Sequence, residues 1–188
     1  MPKPFDNITR HLLSFDTPSW ARFIGIETTQ AELCNADLST VTSQADAVVL
    51  LGAEKRKAAH VEIQASYDSK IGERLNLYNA LAWRALDVPV ASYVVLLRPE
   101  ADGPAMTGVL RQVGDEGVLI REFHYRAIRV WEIPAEDIFH GGLGILPLAF
   151  IGKIDPGELP ALMSVRFDVD RIARELNALF LRNFTDCH

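Results

Sequence analysis

Two acids and an amide are placed where they could do chemistry: Asp46 in QADAVVLL, and Glu62 and Gln64 in HVEIQAS. Read as a β-strand, the second stretch puts His60, Glu62 and Gln64 on one face and Val61, Ile63 and Ala65 on the other, because successive side chains alternate. Residues 45–51 and 58–65 are β-rich runs around the polar tip 52–57, the pattern of a hairpin. A symmetric register centred on Glu54 sets Asp46 opposite Glu62 and Gln44 opposite Gln64, and directly opposed residues share a face. The Cβ atoms of Asp46, Glu62 and Gln64 then lie roughly 4.5 to 7 Å apart, a span that one hydrated divalent ion bridges. Two carboxylates held this close repel unless a proton or cation intervenes, so the pair suits Mg²⁺ or Mn²⁺. Such an ion polarises a phosphodiester and helps generate hydroxide, while Gln64 can orient the attacking water through its uncharged amide. The same acids also fit a plain solvated hairpin face, and spacing alone does not choose.

Other residues surround this set. His60 shares the face of Glu62 and is either a third ligand or a packing neighbour at the rim. Arg74 can contact phosphate, pair with Glu62, or sit in water, whereas Tyr78 reads as core. Lys55, Arg56 and Lys57 make a basic tip suited to a DNA backbone or simply to solvent. Arg121, Arg126 and Arg129 gather loosely around His124 and Tyr125. The glycines of residues 141–144 lack the lysine and following Ser or Thr of a phosphate loop.

The elements that must position these residues follow from periodicity and turn signals. Helical spacing occurs over residues 8–15 and 19–24, with Asp6 and Thr17 as caps and Pro18 at a first helical position. Residues 34–42 alternate weakly, as a first short strand. After the hairpin, residues 69–86 place Ile71, Leu75, Tyr78, Ala82, Ala85 and Leu86 on one helical face, a core-packing helix. Residues 88–97 form a nearly continuous β-branched run, expected centrally in the sheet and covered on both faces. A turn at 99–104 leads to short strands at 107–111, 117–123 and 127–133, which extend the sheet. An amphipathic helix over 170–184 turns Ile172, Leu176, Leu179 and Phe180 inward. Together these give a single domain over 1–188, with a core at about 5–97 and C-terminal strands and helix over 107–184.

The bulk numbers set outer limits. A chain of 188 residues, 48% hydrophobic and 23% charged, is ordinary for one folded globular domain. A net charge of −6 argues against nonspecific coating of nucleic acid, which draws on Lys and Arg, but leaves a nucleic-acid enzyme open. Cys34 and Cys187 have no ligand-like spacing, which fits a reducing compartment. With no signal-peptide pattern and no run of about 18 apolar residues, a cytoplasmic protein without membrane contact is expected.

At Asp46, at the Glu62-x-Gln64 strand, and at the helix that follows with Arg74 and, four residues on, Tyr78, the chain resembles the PD-(D/E)XK nuclease superfamily. It is most similar to the branch of recombination-promoting nucleases also described as transposase-like. The resemblance spans roughly residues 5–97. It implies an α/β fold with a restriction-endonuclease-like core, a central mixed β-sheet flanked by helices. It also implies a Mg²⁺-dependent DNA endonuclease in which Asp46 and Glu62 bind the metal, Gln64 positions the water and Arg74 assists with phosphate. A role in recombination or mobile elements goes with it. The superfamily's usual lysine, two residues after the acid, is Gln64 here, as in that branch. An ammonium stabilises attacking hydroxide or developing phosphorane charge, and an amide only hydrogen-bonds. Two alternatives therefore stay open: a noncatalytic DNA- or protein-binding module, including one that acts as a homo-oligomer, and a metal hydrolase of another substrate using His60.

Overall fold

The computed structural model describes residues 11–28, 30–34 and 47–154. Asp46 and Gln44, the cap Asp6, most of the expected strand at 34–42, the helix at 170–184 and Cys187 lie outside the described residues. The fold is α/β. A five-stranded mixed sheet has the order β1-β2-β3-β4-β7, from Ala31–Leu33, Ala47–Leu51, Lys57–Gln64, Val90–Leu96 and Arg126–Arg129. Strands β1 to β3 pair antiparallel, while β3, β4 and β7 run parallel.

The hairpin takes the expected register. Ala47 pairs with Val61, Val48 with His60 and Leu51 with Lys57, so every pair is centred on Glu54. The tip turns through positive φ at Gly52 and Lys55. Between β3 and β4 runs the long helix α2 (Ile71–Leu86), the crossover that a parallel pair requires. It ends where Asp87 adopts the left-handed conformation, donating its N–H to Trp83 O, with Pro89 two residues on. Ile71, Leu75, Tyr78 and Ala82 are buried as the spacing predicts. Ala85 is exposed instead, and in the last turn it is Leu86, four residues after Ala82, that packs against the core.

The helix α1 (Thr17–Phe23) is capped by Asp16, whose Oδ1 accepts from Ser19 N, rather than by Thr17. Thr17 is already helical and spends its hydroxyl on Leu13 O at 3.0 Å. Three clusters make up the core, the smallest joining Val48 and Ala58 to Ala82 of α2, and the two larger ones lie on opposite faces of the sheet. On one, Val61, Ile63, Val49 and Val95 meet Leu13, Trp20, Ile145 and Leu148. On the other, Val94 and Leu96 meet Ile71 and Leu75 of α2. The short helix α3 (Ala135–Phe139) and a 3-10 segment at Leu146–Ile151 complete the first face, so helices flank the sheet on both sides.

The three late strands do not all extend the sheet. Only β7 does; β5 (Val109–Val113) and β6 (Leu119–His124) form a separate two-stranded ribbon. The ribbon rests on the start of α2, where Gly72 lies against Leu110 and Tyr125. The glycine-rich stretch has a packing role: a Cβ on Gly144 would lie 2.6 Å from Asp16 Cβ, and one on Gly142 would collide with Ser19. Gly144 N donates to Asp16 Oδ2 and its carbonyl accepts from Trp20 Nε1 at 2.9 Å, tying this stretch to α1.

Candidate functional site

The face carrying His60, Glu62 and Gln64 is not a solvated one. In β3, every residue from Ala58 to Gln64 is buried, because the strand lies mid-sheet with α2 over one side and the N-terminal helices over the other. Glu62 is only 2% exposed and His60 is fully buried. A carboxylate removed from water this completely needs a compensating charge, since isolated buried ions cost several kcal/mol.

Helix α2 supplies it. Arg74, in the first turn, donates Nη2–H to Glu62 Oε2 at 2.9 Å and Nη1–H to Asp68 Oδ2 at 2.7 Å. Asp68 in turn accepts Lys70 N through its other oxygen, holding the turn that leads into the helix. The guanidinium is therefore clamped between a buried acid and a partly exposed one, its own side chain 30% exposed. Of the roles open to Arg74, pairing with Glu62 is the one observed.

His60 is held from the opposite side. Its Nδ1 lies 3.3 Å from Ser92 Oγ on the neighbouring strand β4, with which it is in register. Asn79 of α2 donates to that same Oγ at 3.0 Å and to Val90 O at 2.7 Å. Tyr78 packs its ring against the imidazole at 5.8 Å, confirming it as core. His60 Nε2 approaches Glu62 Oε1 to 3.5 Å, but no hydrogen bond joins them and neither atom has one elsewhere. Ser92, His60 and Glu62 superficially suggest a hydrolytic triad. The serine is buried and its hydroxyl is engaged by Asn79, so it offers no nucleophile.

Three members of this network were not singled out by spacing: Asp68, Asn79 and Ser92. A signal for Ser92 existed, since it is a polar residue inside an otherwise apolar strand and must face something polar. Gln64, 7% exposed, closes the row toward the carboxyl end of β3.

The basic tip stands apart. Lys57 opens β3 and Glu62 is five residues on, about 16 Å away at the usual rise per residue. Lys55 pairs with Glu32 of β1, and Arg56 with Glu54 at 2.7 Å in solvent. The second arginine cluster also separates: Arg129 is held by Asp102 at 2.7 Å, while Arg111 and His124 hold Glu122 on the ribbon. The Arg129 bond keeps the Asp102 carboxyl below its ordinary range, and His124 and Arg111 do the same for Glu122.

For a divalent ion, the described donors are Glu62 Oε1, which is buried and without a hydrogen bond, and His60 Nε2 3.5 Å from it. An unmatched carboxylate oxygen in such a place fits a cation in donor chemistry. Among the described residues no group of three His, Cys, Asp or Glu comes together, so further ligands would come from Gln64, from residues outside the described ones or from water. No described helix is long and apolar enough to cross a membrane. No protein-family model, curated protein or solved structure matches the chain.

Proposed function

We propose that the protein is a metal-dependent endonuclease of the PD-(D/E)XK kind, hydrolysing DNA phosphodiesters at Glu62. The observation that carries this reading is the buried carboxylate of Glu62, held through one oxygen by Arg74 and left without a hydrogen bond at the other, which faces His60 Nε2. Support also comes from the hairpin register centred on Glu54, whose continuation by one pair would set Asp46 opposite Glu62. In this reading Asp46 and Glu62 hold Mg²⁺ or Mn²⁺, which when bound supplies a Lewis acid for the phosphoryl oxygen and an acidified water. Gln64 orients that water through its amide. Arg74 fixes the Glu62 carboxylate and, with Asp68 as a second anchor, can turn its guanidinium toward a phosphate.

A second reading, a nuclease-fold binding module, is favoured by two features. Arg74 already neutralises Glu62, and Gln64 carries no charge where the resembled superfamily has lysine. Plasmid nicking with Mg²⁺, measured on the wild type and on Asp46→Ala and Glu62→Ala, separates the two. The nuclease reading expects nicking that both substitutions abolish. Equal rates in all three proteins would refute it, and retained DNA binding in a gel shift without cleavage would establish the binding module.

A further inference from the structure

Glu62 Oε1 and His60 Nε2 are the buried side-chain atoms among the described residues that lack a hydrogen-bond partner, and they lie 3.5 Å apart. Buried polar atoms are rarely left unmatched, and two in contact call for one shared explanation. If Nε2 carried the proton, a hydrogen bond to the adjacent carboxylate would satisfy both at once, yet none is formed.

The other ring nitrogen shows how Nε2 can be left with a lone pair. Ser92 Oγ accepts Asn79 Nδ2–H at 3.0 Å and lies 3.3 Å from His60 Nδ1. A hydroxyl has two lone pairs, so after Asn79 it can still accept Nδ1–H. Donation of one ring N–H to an oxygen is how metal-bound imidazoles are oriented, with the free lone pair on the other nitrogen. The ring cannot easily rotate away, being fully buried with Tyr78 against it. Bonds of about 2.0 to 2.2 Å near the tetrahedral angle set neighbouring ligand atoms about 3.3 to 3.6 Å apart, which matches the observed separation.

We propose that His60 Nε2 and Glu62 Oε1 are adjacent ligands of one divalent ion, and that the imidazole makes this site prefer a transition ion of the Zn²⁺ or Co²⁺ type over Mg²⁺. Carboxylate and water ligands suit Mg²⁺, whereas imidazole shifts preference toward borderline ions. The inference rests on the metal site proposed at Glu62 and not on the hydrolysis assigned to it.

Calorimetric titration of the full chain with Co²⁺ and with Mg²⁺ tests it, on wild type, His60→Gln and Glu62→Gln, each checked for folding by circular dichroism. Wild type should bind Co²⁺ at least about tenfold more tightly than Mg²⁺. His60→Gln should lose that tenfold preference through weaker Co²⁺ binding with Mg²⁺ unchanged, and Glu62→Gln should weaken both. A measurement on wild type alone guards against a variant that fails to fold. On titration with Zn²⁺, the ¹⁵N resonance of His60 Nε2 should move to the metal-bound range while Nδ1 stays protonated. Co²⁺ affinity unchanged in His60→Gln, or Nε2 still protonated at saturating Zn²⁺, overturns the role of His60. Mg²⁺ binding that persists in that case leaves the carboxylate site standing, whereas no binding of any ion to wild type overturns both.

Discussion

Removing the Arg74 side chain should be far more damaging than removing the charge of its partner. Glu62 is the buried member of the pair, its side chain 3% exposed, while Arg74 is 30% exposed and keeps Asp68 as a second partner. Arg74→Ala strands a carboxylate in the interior, a class of change that costs about 3 to 5 kcal/mol. Partial exposure of the guanidinium screens the pair, which favours the lower end, about 3 kcal/mol. For a chain of this size that corresponds to a melting temperature lower by roughly 6 to 12 °C. Glu62→Gln keeps the shape and abolishes the buried charge, so it should cost about 1 kcal/mol, and Arg74→Ala made in that background should cost about as little. The coupling between the two positions is then about 2 kcal/mol, well above the error of additivity for independent sites. Urea unfolding of the four proteins at pH 7, followed by tryptophan fluorescence and circular dichroism, measures it. If Arg74→Ala costs the same within about 0.5 kcal/mol in both backgrounds, the guanidinium is not what sustains the buried carboxylate.

Three further outcomes follow from other parts of the molecule. The Arg129 hydrogen bond holds the Asp102 carboxyl below its usual value of 3.8, so its contribution to stability is complete above that value and fades as pH falls through the lowered one. Asp102→Asn should therefore flatten this part of the acid limb in urea midpoints measured between about pH 2 and 7, and an unaltered limb would refute the assignment. Gly144→Ala would put a Cβ 2.6 Å from Asp16 Cβ and 3.0 Å from Leu12 O, where backbone cannot yield, and should cost about 1 to 3 kcal/mol in the same unfolding assay. Gly52→Ala meets nothing within 4 Å and should cost about 1 kcal/mol, from its positive φ of 80° alone.

Local patterns were legible and long-range docking was not. The hairpin register could be read because strand alternation and the tip length have few consistent solutions, and Ile71, Leu75, Tyr78 and Ala82 could be read because a helix repeats predictably. Nothing local tells that the β5–β6 ribbon leaves the main sheet, since a short strand looks the same in either place. The even face of β3 was ambiguous for the same reason. Whether Glu62 meets water or a helix depends on where α2 lands, and Arg74, the residue that answers this, is twelve positions away. Thr17 was a reasonable cap by type, but Asp16 is one residue earlier and its carboxylate can reach both Ser19 N and Gly144 N.

The link between α1 and the glycine-rich stretch also dictates an order of assembly. Trp20 and Asp16 bond to Gly144, 124 and 128 residues further along the chain. At about 5 to 20 residues per second, a ribosome needs roughly 6 to 25 s to make that intervening length. Until then Leu13 and, in α1, Trp20 lack the Ile145 and Leu148 with which they share a core cluster in the finished protein. On the opposite side of the sheet, the β3–α2–β4 unit, residues 57–96, already holds both Glu62 and Arg74, although Ala101, Met106 and Tyr125 complete that face later, so the buried pair can form while the rest of the core is still being synthesised.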